Sequence, residues 1–481
     1  MMNALHKYYE KNKRLKFNLF VVWGTLLMLF SYINIYGQNS RLFYSKKNYD
    51  KPVELKFSDK ENKSEKNYWL PAIEIIGLNF FVLSYNEYLT KEGWANISLQ
   101  SASDNIKYGF TWDSDGFAMN QFYHPYHGAS YFNAARSNGL SFWESIPYAF
   151  GGSLMWEYFM EIERPSYNDL LNTTISGITL GEITYRVSNL IIDESATGFE
   201  RALREVSALI LAPMHAFNRL LKGKPWKMGA KPKRKKYIVD LSIGSNTLFI
   251  NRDFQNDYLY LLLKFDMHYG GKFKTGSHRK PFEYFRVHSE VSFTEGNNII
   301  GISASGVLWD KSFYAFNSKN NVAGLYKEFD LLFNSIYKFS ASSLTGEISN
   351  LTKLSSNSQI QNSVGLALVL IGSSNSKYSV EVGRDYNLGP GLGFRFFSDF
   401  RLADSWLFFF KYKQFWIHVL NGIEGEEFIG LFNFGINYEF TKGFGVGTDV
   451  VFYERYGIYK TLPDIYSKNA SFRFYLKFTF L

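Results

Sequence analysis

The chain has 481 residues, 19% of them aromatic, and its 53 Lys and Arg against 44 Asp and Glu give a net charge of +9. The absence of cysteine excludes disulfides, thiol catalysis and cysteine-ligated metals, and this modest charge indicates no domain-wide basic surface for nucleic acid. A mean hydropathy of -0.20 excludes a protein built of many membrane helices but is compatible with a membrane β-barrel, in which half of each strand is polar.

Residues 1–37 resemble a secretory signal peptide. A basic segment comes first, a mostly apolar stretch over 17–36 follows it, and Gly37 is a small residue suited to cleavage. Because the apolar stretch is near the lower length limit of a membrane span, an uncleaved anchor helix is the alternative. Either interpretation places the rest of the chain outside the cytoplasm.

Residues 38–100 combine a polar leader with a short apolar segment. The leader, 38–68, is rich in Lys, Glu, Ser and Asn, which is typical of a solvated linker. The segment 71–89 is mostly apolar, interrupted by Asn79 and Asn86, and predicts a short helix.

Residues 101–223 show helical spacing, so we predict a helical domain there. Its first long helix is predicted over 140–163, with Pro147 near the first turn, and Arg164-Pro165 ends it.

Two more helices are predicted after this break. Ser166 is followed three residues later by Asp169, a variant of the capping box, and this helix is predicted to run to about Leu190. Another is predicted over 198–221, with a kink or break at Pro213.

Residues 224–236 form a basic linker, KPWKMGAKPKRKK. A solvated hinge is the simpler interpretation, and a strip that lies against lipid phosphates is the alternative.

Residues 237–481 alternate between apolar and polar or small side chains. Successive side chains of a strand point to opposite faces, so each block predicts a strand with one apolar face. The final block sets Phe472, Phe474, Leu476, Phe478 and Phe480 against Arg473, Tyr475, Lys477 and Thr479. About twelve strands are predicted, near 237–244, 261–270, 285–293, 299–309, 324–337, 361–371, 377–384, 391–402, 405–417, 432–440, 444–455 and 472–480.

The pattern, the aromatic content and the export signal together predict a mainly β protein. It would be a closed antiparallel transmembrane barrel in the cell outer membrane, preceded by a helical domain that is periplasmic or plugs the lumen. A soluble sandwich is the alternative. Asp240, Lys264, Glu290 and Arg473 on the polar faces would suit a hydrated lumen. Outer-membrane lipid and the barrel insertion machinery are the expected partners.

The helical domain holds the densest set of unusual polar residues. His124 and His127 are three apart, and the proline between them favours a turn over a helix. They are weak candidate metal ligands, with Glu157, Glu161 or Asp169 as a third. Packing within a buried loop is the simpler interpretation, and we expect no metal and no cofactor.

Glu157 and Glu161 are four apart and would share one helix face, with Arg164 as the expected ionic partner. Such a set could supply an acid or a base if it is buried, and is only a charged stripe if it is exposed.

The helix after Ser166 has the most specific pattern. Asp169, Thr173, Gly177 and Gly181 recur every four residues, and the two glycines make a groove that lets another backbone approach closely. A tightly packed helix hairpin is the structural interpretation.

A polar pocket is the functional interpretation of the same helix. Asp169, Asn172 and Glu182 would line it, and Glu182 is also expected to form an ion pair with Arg186, four residues on.

The run HPYHGASYFNAARSNGLSFWESIPYAFGGSLMWEYFMEIERPSYNDLLNTTISGITLGE, residues 124–182, resembles the signature of the domain-of-unknown-function family 3943 of Gram-negative cell-envelope proteins. The resemblance covers about 110–220 well and the barrel loosely. Because the family brings no established activity, the resemblance implies no catalytic residue.

Two classes of function are compatible with these patterns, and the sequence contains no GxSxG elbow, phosphate-binding loop or dinucleotide fingerprint. The barrel could bind or pass a ligand, or have a structural envelope role. Alternatively, the protein could be a membrane-embedded hydrolase or transferase that acts on lipid. The candidate residues are His124, His127, Glu157, Glu161, Arg164, Asp169, Asn172 and Glu182.

Overall fold

The computed structural model describes residues 65–230, 237–250, 253–273, 279–294, 297–315, 318–333, 338–376, 378, 385–441 and 443–480. The predicted signal peptide, most of the polar leader and the end of the basic linker lie outside the described residues. Contacts divide the chain into two compact units, one of which contains 184–230 and the other the remaining described residues.

Seven α-helices precede the strands in the described part of the chain. They are α1 (Trp69–Ser84), α2 (Leu99–Tyr108), α3 (His124–Ser137), α4 (Phe142–Phe159), α5 (Tyr167–Ile191), α6 (Gly198–Leu211) and α7 (Pro213–Leu221). The predicted break at Pro213 is confirmed, since α6 ends two residues before it and α7 begins at it. Ser141 and Glu144 form a reciprocal capping box that fixes the start of α4.

Two local predictions are wrong. His124 and His127 lie on a helix and not in a turn: Pro125 directly follows a π-helical segment, Met119–Tyr123, where the regular α-helical hydrogen-bond pattern is already interrupted. Glu157 and Glu161 do not share a helix face, because α4 ends at Phe159 and Glu161 lies beyond it.

The strands form a closed antiparallel barrel in which each pairs with its neighbours in sequence and β1 pairs with β12. They are β1 (Tyr237–Ile250), β2 (Asp253–Tyr269), β3 (Phe285–Thr294), β4 (Asn297–Ala315), β5 (Ser318–Phe333), β6 (Lys338–Lys353), β7 (Gln359–Asn375), β8 (Tyr386–Leu402), β9 (Trp406–His418), β10 (Gly425–Thr441), β11 (Phe444–Tyr459) and β12 (Ile465–Phe480).

The predicted strand count is confirmed, but one predicted strand is replaced by another. β6 was not predicted, because its sequence, KFSASSLTGEISNLTK, sets serine and threonine where other strands have apolar residues. The strand predicted over 377–384 falls largely outside the described residues, and Tyr378, which is described there, lies in no strand.

Charged side chains pair with one another across the barrel lumen. Lys264 Nζ on β2 lies 2.7 Å from Asp449 Oδ2 on β11. Glu290 on β3 receives both terminal nitrogens of Arg473 on β12, at 2.7 and 2.8 Å. Lys264, Glu290 and Arg473 are buried, so the expectation of a hydrated lumen is wrong at these three positions. Asp240 is partly exposed and pairs with Lys477 at 2.7 Å. Buried charges need such partners to offset their loss of hydration.

A layer of apolar side chains also fills the lumen. The ring centroids of Phe339 on β6 and Phe415 on β9 are 4.8 Å apart, although these strands are not neighbours. The buried members of this layer are Leu248, Tyr260, Ile299, Leu332, Phe339, Ala341, Val369, Phe415, Ile417, Ile429, Val451 and Tyr453. A solute could cross the lumen only if this layer and the ion pairs separated.

The outer face of the barrel is exposed on one side and buried on the other. Phe472, Phe474 and Leu366 point outward and are half-exposed or more. On β3 to β6 several outward positions, which alternate with lumen-facing residues such as Glu290, are buried. We call this area the covered wall: Phe285, Ser289, Val291, Ala304, Phe329, Ser340 and Ser342.

Aromatic side chains of the helical segment lie against the barrel. Phe117, before α3, packs between Phe333 and Tyr386, with centroid distances of 5.9 and 5.6 Å. Phe142 of α4 stacks on Phe282 at 5.4 Å. Phe333 is the last residue of β5 and alternates with lumen-facing Leu332, so its side chain points outward. The helical segment therefore contacts the outer side of the barrel.

Helix α1 exposes large apolar side chains and buries two polar residues, Glu74 and Asn79, beside the apolar Ile75 and Leu83. Trp69 and Ile73 are 82% and 64% exposed, whereas Glu74 and Asn79 are 6% and 0% exposed. Asn79 donates to the carbonyl of Gly152 at 3.2 Å. The exposed face of α1 therefore lacks the polar side chains that a helix on a water-soluble protein presents to solvent.

None of the described helices is both long and apolar enough to cross a membrane.

The unit that contains residues 184–230 is held by buried polar contacts. Ser188 Oγ lies 2.9 Å from His215 Nδ1, and the Tyr185 ring packs on the same histidine at 5.0 Å. Arg204 donates to the carbonyl of Ile191 at 2.8 Å. Burial, with the positive charges of Arg219 and Lys222, lowers the pKa of His215 to about 3.

This unit should therefore lose stability in mild acid. The unfolded chain takes up a proton near the ordinary histidine pKa of about 6.5, whereas folded His215 stays neutral, so stability falls as the pH drops below 6.5. The expected loss at pH 5 is about 2 kcal/mol. Amide protection of α7, corrected for intrinsic exchange, measures it. His215→Asn should abolish this pH dependence, and His418→Asn, at an exposed histidine on β9, should leave it intact.

The paired charges in the lumen should contribute to the stability of the barrel. Glu290→Gln leaves Arg473 with a weakened partner in a buried site, so we expect a loss of about 3 kcal/mol in the free energy of unfolding. Urea unfolding of the barrel in vesicles, followed by tryptophan fluorescence, measures it. Glu424→Gln breaks an exposed pair with Lys460 and should leave the midpoint unchanged. Equal midpoints for the two variants would contradict the packed lumen.

Candidate functional site

The site is built on a close contact between helices α3 and α5. A Cβ added to Gly128 would lie 1.8 Å from the carbonyl oxygen of Thr173, and one added to Gly177 would lie 2.8 Å from the backbone of Gly128. A Cβ at Gly181 would meet the Phe132 side chain at 2.9 Å. The predicted glycine groove is confirmed, and α3 is the helix that occupies it.

Later residues of α3 contact later residues of α5, so the two helices run in the same direction. His124 faces Asp169 before the glycine contact, and Arg136 faces Glu182 after it. The Arg136 Nε to Glu182 Oε2 distance is 2.7 Å, so Arg136 is an ionic partner of Glu182. Thirteen residues of helix, about 20 Å, separate Glu182 from Asp169, so Glu182 is not part of the same pocket.

The segment before α3 is anchored beside the start of α5. Thr111 forms a parallel bridge with Ser166: its N–H donates to Pro165 at 2.7 Å, and its carbonyl accepts from Tyr167 at 2.9 Å. This bridge brings Asp113 and Asp115 to the first turn of α5.

One imidazole and several carboxylates converge there. His124 Nε2 lies 3.5 Å from Asp169 Oδ1 and 4.0 Å from Asp115 Oδ2. One ligand atom from each of the three residues lies within 4.8 Å of the other two. Asp169 is buried, His124 is largely buried, and the Asp115 side chain is 51% exposed. Asp115 is therefore the member of the group that solvent reaches most easily.

Asn168 holds the carboxylates in position. Its Nδ2 donates to Asp113 at 2.5 Å, to Asn120 Oδ1 at 3.0 Å and to Asp169 Oδ1 at 3.2 Å. Its Oδ1 accepts from Ser166 Oγ at 2.8 Å. The Ser166 hydroxyl in turn accepts from the Asp169 N–H at 3.2 Å, which confirms the predicted N-cap.

Glu157 extends the cluster from α4. It is 1% exposed, and its Oε2 accepts from the N–H of Ser166 at 2.7 Å. Burial raises the pKa of Glu157 to about 7, with Asp113 and Asp115 adding to the rise and His124 and the Ser166 bond opposing it. Half of the Glu157 carboxyl groups are therefore protonated near neutral pH.

Asp113 and Asp169 have pKa values that are shifted in opposite directions. Burial, together with the hydrogen bond to Asp113 and its charge, holds the pKa of Asp169 well above its ordinary value. Burial would also raise the pKa of Asp113, but hydrogen bonds from Asp169 and Asn168 and the charge of His124 lower it overall. The pKa values of Asp169 and Asp113 are therefore shifted in opposite directions within one hydrogen-bonded pair.

His124 and His127 behave in opposite ways. Burial alone would lower the pKa of His124, but the hydrogen bond and charge of Asp115 and the charges of Glu157 and Asp113 raise it. Burial and the charge of His124 lower the pKa of His127 to about 3. The His127 ring packs on Tyr131 at 4.6 Å and on Trp156 at 5.1 Å, so it contributes to the core and does not join the carboxylates.

The other predicted site residues are placed differently. Arg164 donates to the carbonyls of Tyr108 and Gly109, at 2.8 and 3.3 Å, and so anchors the end of α2 rather than pairing with Glu161. Burial and the charge of Glu157 raise the pKa of Glu161 well above normal. Asn172 is buried on α5, three residues after Asp169.

Sequence reasoning missed four residues of the cluster: Asp113, Asp115, Asn120 and Asn168. The Asp-Ser-Asp-Gly segment at 113–116, just before a helix, was the available signal. That segment could not show where its carboxylates lie in the fold, because Asp113 and its partner Asn168 are 55 residues apart in the sequence.

Residues 109–214 match the model of a family described as "Domain of unknown function (DUF3943)", which confirms the resemblance seen in the sequence. The match covers most of the helical part, including the whole cluster, and ends before the barrel. A search of curated proteins found no match.

The barrel half is similar to solved outer-membrane structures. The KdgM porin is 14% identical over 50% of this chain and 99% of its own, with a TM-score of 0.25. The NanC porin is 8% identical over 50% and 98%, with a TM-score of 0.27. OmpT of Vibrio cholerae is 8% identical over 52% and 99%, with a TM-score of 0.22. The assignment as a barrel rests on the strand pairing itself.

The close helix contact predicts how glycine substitutions act. Gly128→Ala puts a methyl group into the backbone of α5, so we expect a loss of about 3 kcal/mol in local stability. Gly151→Ala on α4 meets nothing within 4 Å and should be neutral or stabilising by up to about 1 kcal/mol. Amide protection in α3 and α5 measures both effects. Equal protection in the two variants would show that the helices can separate without cost.

Proposed function

We propose that this protein is an outer-membrane barrel that holds a helical domain beside it in contact with lipid, and that the domain binds an envelope lipid at the cluster around His124 and Asp169. The exposed apolar face of α1 carries the proposal. A helix that exposes Trp69 and Ile73 while burying Glu74 and Asn79 is stable where its surroundings are apolar.

The covered wall supports the same placement. Ser289, Ser340 and Ser342 occupy outward positions of the barrel, where lipid-facing strands carry apolar side chains, and all three are buried. Contact with protein removes the cost of facing hydroxyl groups to lipid. Phe117 and Phe142 bring the helical segment to this side. The proposed placement differs from the two suggested by the sequence, below the barrel or inside its lumen.

The lumen favours this role over passage of a ligand through the barrel. Its paired charges and apolar layer would have to separate for a solute to cross. The barrel then serves as the membrane anchor, and the helical domain carries the activity.

Spin labels test the proposed contact with lipid, and the absence of cysteine makes single labels simple to place. Ile73→Cys on α1, labelled in vesicles, should be accessible to oxygen and shielded from a water-soluble nickel reagent. Leu366→Cys, on the exposed barrel wall, is the lipid-facing control, and Glu424→Cys, in an exposed loop, is the aqueous control. A label at Ile73 that matches the Glu424 control would refute the placement.

A lipid-acting hydrolase or transferase is the second candidate function, and Glu157 favours it. A buried carboxyl group with a pKa of about 7 can serve as either acid or base at neutral pH. It lies beside a cluster whose Asp115 side chain is half-exposed, so a headgroup could reach it while the lipid tails remain in the membrane.

Lipid turnover distinguishes this candidate from binding alone. The protein is incubated in vesicles of outer-membrane lipid, and the lipid species are followed by mass spectrometry. Glu157→Gln should abolish any conversion while lipid still copurifies with the protein. Asp104→Asn, on α2, is the matched control and should convert lipid like the parent protein. Unchanged lipid with the parent protein rules out the enzyme and leaves the binding role.

A further inference from the structure

We propose that Asp115, His124 and Asp169 bind one divalent transition-metal cation, with Zn²⁺ as the best fit. This inference deepens the proposed function, because the cation would lie at the same cluster, where a lipid phosphate or other headgroup oxygen could reach it. The test of metal binding needs no lipid, so the metal site and the proposed lipid function can be refuted independently.

The distances between the donor atoms are those of a nearly formed site. Ligands bound to Zn²⁺ at about 2.0–2.2 Å in a tetrahedron lie about 3.4 Å apart. His124 Nε2 and Asp169 Oδ1 are 3.5 Å apart, and His124 Nε2 and Asp115 Oδ2 are 4.0 Å apart. All three atoms lie within 4.8 Å of one another, so modest rotation of the half-exposed Asp115 side chain completes the set.

The electrostatic balance also favours a cation. Asp113, Asp115 and Glu157 all act on the single imidazole of His124, and Asp169 touches it directly. Four carboxyl groups thus surround one potential positive charge. A bound cation would offset their mutual repulsion in a region that α3 and α5 largely close to water.

Helix α5 offers a further polar surface beside the proposed ligands. Asn172 and Thr173 follow Asp169 by three and four residues, so they lie on the same helix face. They are 1% and 3% exposed, and the Asn172 Nδ2 and Thr173 Oγ1 atoms have no hydrogen-bond partner among the described residues. Thr173 lies at the contact with Gly128, whereas Asn172, one helical turn after Asp169, is suited to a molecule held at the cation. Asn172 is thus a second indication that the cluster receives a ligand.

The donor set indicates the kind of metal. One imidazole nitrogen with two carboxylate oxygens suits Zn²⁺, because imidazole favours it over Mg²⁺ and Ca²⁺. Three protein ligands leave a fourth position open, as in catalytic zinc sites. Asn168, through its bond to Asp169, and Asn120, through its contact with Asn168, would orient the ligands from behind.

Direct binding tests the site. The full chain, without a polyhistidine tag, is freed of metal with a chelator, and Zn²⁺ binding is measured by calorimetry in detergent. One equivalent per chain is expected, with at least a tenfold loss of affinity for each of Asp115→Asn and His124→Asn. Co²⁺ gives an independent readout, since its visible spectrum should indicate a low-coordinate site in the parent protein and should change in His124→Asn.

Two variants keep the test decisive. Asp115 is half-exposed, so Asp115→Asn should fold normally, and heat-modifiable migration on a gel verifies the barrel. Asp104→Asn on α2, whose carboxylate accepts from Gln100 at 3.1 Å, is the matched control and should bind like the parent protein. Absence of stoichiometric binding in the parent protein, or equal affinity in Asp115→Asn, would overturn the proposal. Lipid contact at Ile73 without Zn²⁺ binding would leave the proposed function standing and remove the metal.

Discussion

The contact between Gly128 and the backbone of α5 determines the rest of the helical domain. Where a Cβ would lie 1.8 Å from a carbonyl oxygen, only glycine allows the two helices to touch. Because α3 and α5 run in the same direction, this contact fixes what meets on either side of it. His124 reaches Asp169 before it, and Arg136 reaches Glu182 after it. The ion pair at the far end and the cluster at the near end therefore share one cause, and the bridge of Thr111 to Ser166 adds the acidic loop to the cluster.

The barrel and the helical domain both provide protein partners for their buried polar groups, but they do so in different ways. Every buried polar group needs a partner, and in lipid the partner must come from the protein. The barrel places its charges inward, where Glu290 meets Arg473 across the lumen. Helix α1 likewise places Asn79 inward, where it bonds to Gly152 and the Tyr131 hydroxyl, and leaves its large apolar side chains outside. An apolar exterior around a paired polar interior is the property common to both parts.

Local patterns predicted much of the fold. The alternation predicted a closed barrel of about twelve strands, and the glycines every four residues in α5 predicted its close packing. β6 was missed because its serine-rich sequence lacks the alternating apolar residues of the other strands. Its outward Ser340 and Ser342 are buried, so this part of β6 needs no apolar side chains to face lipid. His124, Glu157 and Asp169 were predicted site residues that meet in one cluster. The partners Asp113 and Asp115 were not, because their contacts with α5 span more than fifty residues and no local spacing encodes them. Which side of a barrel is covered is likewise a property of tertiary packing.

The central claim is that the helix contact assembles Asp115, His124 and Asp169 around one point. Anomalous diffraction at the zinc edge, from crystals of the chelated protein soaked in Zn²⁺, tests it most directly. We expect one strong peak about 2.1 Å from His124 Nε2 and from a carboxylate oxygen of each aspartate. A peak on other residues with none between these three would contradict the account.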